Sequence, residues 1–418
     1  MSVIDVIFVL SFVGIWLAQF FWLVLSFGAY GYLRATAGER EKLLAEMPSE
    51  LPAVTVLIPA HNEAVVIEDT LEAMTRLDYP VEQLQVLLVN DGSTDETGAI
   101  GERFAAAHPT IEVMNVPKGM GGKGKSRTLN VGMSQARGEL IAVFDADNTP
   151  EPECLRLLVG VLISDRTLVA VNGKVRTRNW NDSWLTRFVA IEFVYFQWLF
   201  QAGRWYWFRL STLMGTNYVI WRDALDMLGG FDEKSLVDDT EMSLRIFLGK
   251  RRIRWVPFAV TWEQEPDTLK VWLKQRSRWT QGNLYVTFKY FRLAISHPMP
   301  IGLEMLANLL SYIVFLPALL ISHVVFLLGV MQLAGTEVSG PFGALWAVSF
   351  MAYTLQMWFA LNVERERPSS YVLAALSYVT YAQLFIPVTI MAVHRTLKAL
   401  ALRQDMKWDK TQRTKEKT

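Results

Sequence analysis

Val54-Thr-Val-Leu-Ile-Pro-Ala-His-Asn-Glu63 sets an apolar run directly against a polar cluster, and the same pattern returns twice downstream. Val86 to Val89 leads into Asn90-Asp91-Gly92, and Leu140 to Phe144 leads into Asp145-Ala146-Asp147. Short β-rich runs of this kind read as strands, with a further one at Ile111 to Val116. Helical stretches near Ala64 to Arg76, Thr94 to His108, Lys125 to Ala136 and Glu151 to Ile163 lie between and after them. This alternation predicts an α/β fold with a parallel sheet. In open sheets of that kind ligands bind beyond the carboxyl ends of the strands, which is where the polar clusters fall.

Outward from this core the chain becomes apolar. A hydrophobic fraction of 51% with 15 Trp and 23 Phe is too high for an ordinary soluble enzyme. Charge-free runs at Val6 to Leu33, Met305 to Thr336, Val338 to Val363 and Pro368 to Val393 each exceed the roughly 20 residues a membrane helix needs. The first has an acid, Asp5, in place of a basic lead-in and no small-residue cleavage pattern, so it reads as a retained anchor. The expected domains are an anchor at 1–33, a globular domain at 34–300, membrane helices at 301–394 and a charged tail at 395–418. Segments 184–213 and 269–293 mix aromatics with charges and suit helices at the lipid surface; amphipathic helices packed inside the domain are the alternative. Three late spans would put the basic tail outside, against the positive-inside tendency. A re-entrant Met305 to Thr336, with Pro317 inside it, would bring the tail back.

Acids and bases balance at 41 each, which gives no argument for nucleic acid. Cys154 is the single cysteine, so no intrachain disulfide or cysteine-based zinc site can form, in keeping with a reducing compartment. Asp145 and Asp147 have the spacing to hold a hard divalent ion, and equally that of a turn or helix cap. Asp91 and Glu63 are each placed for ligand contact or for a helix start. The basic, Gly-rich run from Lys118 to Arg127 lacks Walker A spacing but could cradle a diphosphate. Asp238, Asp239 and Glu241 either favour a helix dipole or include a general base. Gln275-Arg-Ser-Arg-Trp279 offers guanidinium forks for pyrophosphate and an indole face for a sugar ring.

In order along the chain, five motifs together resemble glycosyltransferase family 2, specifically its membrane-integrated, processive β-polysaccharide synthases. They are Pro59-Ala-His-Asn-Glu63, Val89-Asn-Asp-Gly-Ser-Thr-Asp95, Gly124-Lys-Ser-Arg-Thr-Leu-Asn130, Asp145-Ala-Asp147 and Gln275-Arg-Ser-Arg-Trp279. Arg278-Trp-Thr-Gln-Gly282 looks closest to poly-N-acetylglucosamine synthases. The resemblance implies a nucleotide-diphosphosugar (GT-A) α/β domain with a mixed, mostly parallel sheet, plus transmembrane and interfacial helices. By motif, His61, Glu63, Asp91 and Lys125 would bind the nucleotide of a UDP-sugar, and Asp145 and Asp147 the donor with Mg²⁺ or Mn²⁺. Gln275 and Arg278 would meet the pyrophosphate, and Trp279 would stack under the acceptor sugar. Gly215 and Thr216, in Leu213-Met-Gly-Thr-Asn217, resemble the loop beside the acceptor. Asp239 takes the base position of a Thr-Glu-Asp triplet, with Val237-Asp238 replacing the first two residues.

The implied activity is inverting transfer of N-acetylglucosamine or glucose to a growing β-linked polysaccharide, coupled to its export. It would run on the cytoplasmic face of a bacterial plasma membrane, with a small membrane subunit as an accessory partner. The competing readings are single transfer of sugar to a membrane lipid, and a transporter or receptor carrying an inactive domain. The latter predicts loss of charged catalytic positions, yet Asp145, Asp147, Asp239 and Arg278 are all present.

Overall fold

The apolar runs at Val54, Val86 and Leu140 become three neighbouring strands of an eight-stranded sheet, seen in a computed structural model. It describes residues 2–117, 119, 121–296, 301–333, 338, 340–402 and 413. The strands are β1 (Val54–Ala60), β2 (Leu84–Asn90), β3 (Ile111–Asn115), β4 (Leu140–Val143), β5 (Thr149–Pro150), β6 (Leu168–Thr177), β7 (Tyr218–Trp221) and β8 (Arg252–Glu263). Their spatial order is β3-β2-β1-β4-β7-β6-β8-β5. Near-continuous hydrophobicity in β1, β2 and β4 follows from burial of both faces. Val56, Ile58, Val86 and Leu88 fill the core on one side, and Leu57, Leu87, Val89 and Ile141 fill the other.

Strands β3, β2, β1 and β4 run parallel, as the alternation predicts. Beyond β4 the direction changes. Strand β7 is antiparallel to both β4 and β6, β6 pairs with β8 in parallel, and β5 caps the edge antiparallel to β8. The mixed, mostly parallel sheet implied by the resemblance is therefore what forms. Its direction change has no periodic signature of its own, because β7 is a short buried strand flanked by loop and helix.

Helix Val3–Ala35 runs directly into the globular domain, with Ala29 and Tyr32 in the main core. The Tyr32 hydroxyl donates to the Trp255 carbonyl at 2.5 Å, and Arg254 pairs with Glu39 at 2.6 Å. Segment 184–213 becomes helix Trp184–Phe196, a π-helical turn at Gln197–Gly203 and helix Arg204–Phe208; Leu269–Ser296 is one long helix.

Among the described residues, three helices are long and apolar enough to cross a membrane: Val3–Ala45, Leu306–Val330 and Phe342–Val363. Pro368–Ser377 and Tyr381–Lys398 form a further apolar pair bent by 48°. The interruption expected within Met305 to Thr336 thus falls instead in the last apolar segment. Pro317 lies in the first turn of Leu316–Val330, after the π-helical turn Leu309–Phe315, where its missing N–H is tolerated. Glu364, just past Phe342–Val363, accepts from Lys174 at 2.9 Å and Arg176 at 2.8 Å on β6. Arg413 reaches Asp147. The start of the bent pair therefore lies close to the globular domain. The rest of the expected charged tail beyond Leu402 lies outside the described residues.

Candidate active site

Twelve of the positions singled out from the sequence line one cavity of about 540 Å³: His61, Glu63, Asp91, Lys125, Asp145, Asp147, Gly215, Thr216, Asp239, Gln275, Arg278 and Trp279; Asp238 joins them, whereas Glu241 is turned to Arg245, Lys289 and Tyr290. The strand ends build its floor. After β1, the His61 ring Nδ1 lies 2.7 Å from the Asp91 carbonyl, and the Glu63 amide donates to Thr97 Oγ1 at 2.8 Å. After β2, the buried Asp91 carboxylate accepts from the Gly122 amide at 2.8 Å, which folds the Gly-rich loop over the strand ends. Only glycine fits at 121, since an added Cβ would lie 2.2 Å from the Asp91 carbonyl oxygen.

Lys125, opening the next helix, bridges two segments: its ammonium is 2.5 Å from Asp145 Oδ1 and donates to the Gly215 carbonyl at 2.6 Å. Burial alone would lower the Lys125 pKa, but Asp145 and Asp238 more than offset this and hold it above its ordinary value. The Asp145 amide donates to Thr216 Oγ1 at 2.9 Å, tying the β4 end to the loop before β7. Gly215 has φ +82, and the space its Cβ would occupy lies 3.5 Å from Asp239 Oδ2.

Asp145 and Asp147 gain a third carboxylate. Glu263, at the end of β8, brings its oxygen into a cluster in which ligand atoms of all three lie within 4.8 Å of one another. Burial and mutual repulsion raise the pKa of Asp147 and Glu263. Crowded acids at the edge of a cavity are chemically a site for a hard divalent cation. Here Arg413 supplies positive charge, its Nη2 2.7 Å from Asp147 Oδ2 and 3.7 Å from Glu263 Oε1. The first contact is an ion pair without hydrogen-bond alignment.

Asp239 sits in the first turn of helix Asp238–Leu248, where the Thr240 amide donates to its Oδ1 at 2.7 Å. Ser243 donates to the Asp239 carbonyl at 2.7 Å and accepts from the Leu213 amide at 3.0 Å, locking this helix to the loop before β7. Burial, reinforced by Asp238, pushes the Asp239 carboxyl up to about 7. The opposite wall comes from helix Leu269–Ser296, which presents Gln275, Arg278 and Trp279. Burial lowers the pKa of Arg278, against the pull of Asp238. Trp279 is held by Arg276, whose guanidinium lies 4.2 Å from the ring centroid and 2.9 Å from Glu192.

The sequence reading missed Glu192, Arg204, Glu263 and Arg413 as lining residues, and it offered Arg276 to the pyrophosphate, whereas that guanidinium is taken up by Glu192 and the Trp279 ring. Glu263 follows the β-rich run Arg252 to Trp262, and the strand-end rule applied there would have found it. The bracing role of Arg276 carries no local signal, because it depends on Glu192 arriving from a distant helix.

The fold is that of a glycosyltransferase, and residues 52–282 match the family described as "Glycosyltransferase like family 2". The chain belongs to that family. It is similar to the probable glycosyltransferase YdaM of Bacillus subtilis, with 36% identity over 98% of each chain. It is also 30% identical to the β-monoglucosyldiacylglycerol synthase of Synechocystis, over 68% of this chain and 60% of that one. Against the poly-β-1,6-N-acetyl-D-glucosamine synthase of Staphylococcus aureus (strain COL) identity is 28%, over 64% of each chain. Among solved structures, the mannosyltransferase PcManGT of Pyrobaculum calidifontis, in complex with GDP-Man and Mn²⁺, shares the fold at a TM-score of 0.55. Its identity is 23%, covering 87% of this chain and 99% of that one.

Proposed function

We propose that this enzyme transfers a sugar, N-acetylglucosamine or glucose, from a UDP-sugar to the end of a β-linked polysaccharide, with inversion, on the cytoplasmic side of a plasma membrane. The observation that carries this reading is the single cavity running from Asp91, past Asp145 and Asp239, to Trp279 and on to Asn308 and Tyr312 beside the apolar helices.

His61, Glu63 and Asp91 border the space for the nucleotide, and Lys125, Gln275 and Arg278 bring polar and cationic groups to the diphosphate. Mg²⁺ or Mn²⁺ held by Asp145, Asp147 and Glu263 would neutralise charge on the leaving diphosphate. The acceptor sugar rests on Trp279, near Gly215 and Thr216, with its hydroxyl toward Asp239. As that oxygen attacks the anomeric carbon from the face opposite the diphosphate, its proton passes to Asp239. The carbon–oxygen bond to the diphosphate breaks, and the electron pair leaves with UDP. An α-linked donor yields a β bond. Burial favours the base in this site twice over. It raises proton affinity toward working pH, and it strengthens the fixed charges aimed at the diphosphate.

Beyond Trp279 the walls carry Asn308, Ser311, Tyr312, Tyr353, Ser377 and Tyr381, a mixture of hydroxyls, amides and ring faces suited to a glycan. A second reading, single transfer to a lipid, is supported by the apolar lining at Phe196, Phe200, Met357 and Phe385, and by the resemblance to β-monoglucosyldiacylglycerol synthases. The test is incubation of the purified enzyme with a panel of radiolabelled UDP-sugars, followed by sizing of the product. A ladder of long glycans is expected; a single-sugar lipid adduct would refute chain extension. No UDP release from any donor, with metal and acceptor supplied, would refute transfer itself.

A further inference from the structure

Outside the transfer cavity, a second pocket of about 170 Å³ opens at the turn between helices Phe342–Val363 and Pro368–Ser377. Three arginines line it: Arg176, Arg187 and Arg367. Arg176 is neutralised by Glu364 at 2.8 Å and by Glu366, the acid on the pocket wall. Arg187 and Arg367 pair with no carboxylate among the described residues. Both guanidiniums face the Trp180 ring, Arg367 at 4.1 Å and Arg187 at 5.9 Å from its centroid. Arg187 also lies 5.2 Å from the Trp184 ring and donates to Asn181 at 2.6 Å, while its Nε is buried with no hydrogen-bond partner. Two like charges gathered on one indole repel each other, and a buried donor without an acceptor is costly. An anion in the pocket relieves both.

The surroundings select the anion. Trp184, Trp358, Val372 and Leu376 leave large apolar surface exposed around the turn, as a lipid-facing belt does. Pro368–Ser377 and Phe342–Val363 are both apolar, and Glu364 ties the turn to β6 on the catalytic domain's side. That side faces the anionic leaflet in the orientation proposed above, and basic pockets between membrane helices at this level suit lipid head groups.

We infer that this pocket binds the phosphate of an anionic phospholipid, with Arg187 and Arg367 on its oxygens, Ser369 and Ser370 at its rim and Trp180 as the floor. Planar guanidinium forks match phosphate geometry, and the flanking indoles sit at the boundary between head group and acyl chain. The inference rests on the membrane-embedded reading and is independent of which sugar is moved or how many are added.

The experiment is native mass spectrometry of the full-length protein released from nanodiscs of dioleoyl phosphatidylcholine with or without dioleoyl phosphatidylglycerol. The wild type should retain phosphatidylglycerol, at about tenfold higher apparent affinity than the R187A/R367A variant. An R187K/R367K variant should recover part of the difference. Continued UDP release by R187A/R367A would show that it is folded, so loss of lipid is not loss of structure. Equal retention of the two lipids by the wild type, or of phosphatidylglycerol by wild type and R187A/R367A, overturns the proposal. Displacement of the lipid by millimolar inorganic phosphate would assign the pocket to the free ion and overturn the lipid as its occupant.

Discussion

At the scale of single residues, Asp239 carries the sharpest consequence. Its carboxyl is raised from 3.8 to about 7, first by burial and then by Asp238, and it can accept a proton only when ionised. With Asp239 as base, kcat/KM should fall about tenfold per pH unit below its pKa and level off above it. A profile flat from about pH 5 to 8 would remove Asp239 from that role. Asp239→Asn should lower kcat by about 10²–10⁴-fold. The same burial opposes stability: the unfolded chain releases this proton at lower pH, so the native state loses stability as pH rises from 3.8 through about 7. The Asn variant should therefore melt no lower than the wild type at pH 8, which separates a catalytic loss from an unfolding one. Glu263→Gln removes one of three clustered carboxylates. It should raise the Mn²⁺ concentration for half-maximal UDP release by roughly tenfold, with a parallel loss in Mn²⁺ binding read by electron paramagnetic resonance without turnover. Unchanged binding would leave Glu263 outside the metal set.

At the scale of elements, the site depends on backbones that approach too closely for any side chain between them. Gly121 is packed against Asp91 in this way, and Gly121→Ala would push the loop off the strand ends. The donor KM should rise, with kcat/KM falling by about 10- to 100-fold as the cradle shifts by an ångström or so. A second close approach joins helix Val3–Ala35 to the globular domain: a Cβ on Gly203, in the π-helical turn, would sit 2.3 Å from the Leu25 carbonyl oxygen. Gly203→Ala should cost about 1–3 kcal/mol through overpacking, read as a lower melting temperature in detergent. An unchanged melting temperature would mean that the two helices part without cost. Neither contact was legible in sequence, because each glycine's neighbour comes from a different element. The strands themselves were legible, since β1, β2 and β4 are buried on both faces and end abruptly in polar residues.

For the whole molecule, the contacts flanking the last apolar segment bear on its topology. Glu364, just before the bent pair 368–398, pairs with Lys174 and Arg176 of β6, and Arg413, beyond it, pairs with Asp147. A compartment-sensitive reporter fused at the C-terminus should therefore signal from the cytoplasm, and one inserted after Met331 from the opposite side. An external C-terminal signal would mean that the bent pair crosses completely. A cytoplasmic signal would remove the conflict between the basic tail and the positive-inside tendency that a reading of apolar run lengths creates.

Local pattern was enough to determine the α/β core, the apolar helices and nearly every acid and base that reaches the cavity. Those signals depend only on which residues adjoin one another along the chain: an apolar run fixes a buried strand, and the polar residue after it must emerge at the sheet's edge. Tertiary structure alone decided that Glu263 joins Asp145 and Asp147, that Arg276 braces Trp279 through Glu192, and that the chain reverses direction at β7. Each of these depends on residues remote in sequence meeting across packed elements, where burial and charge act over ångströms of space irrespective of separation along the chain.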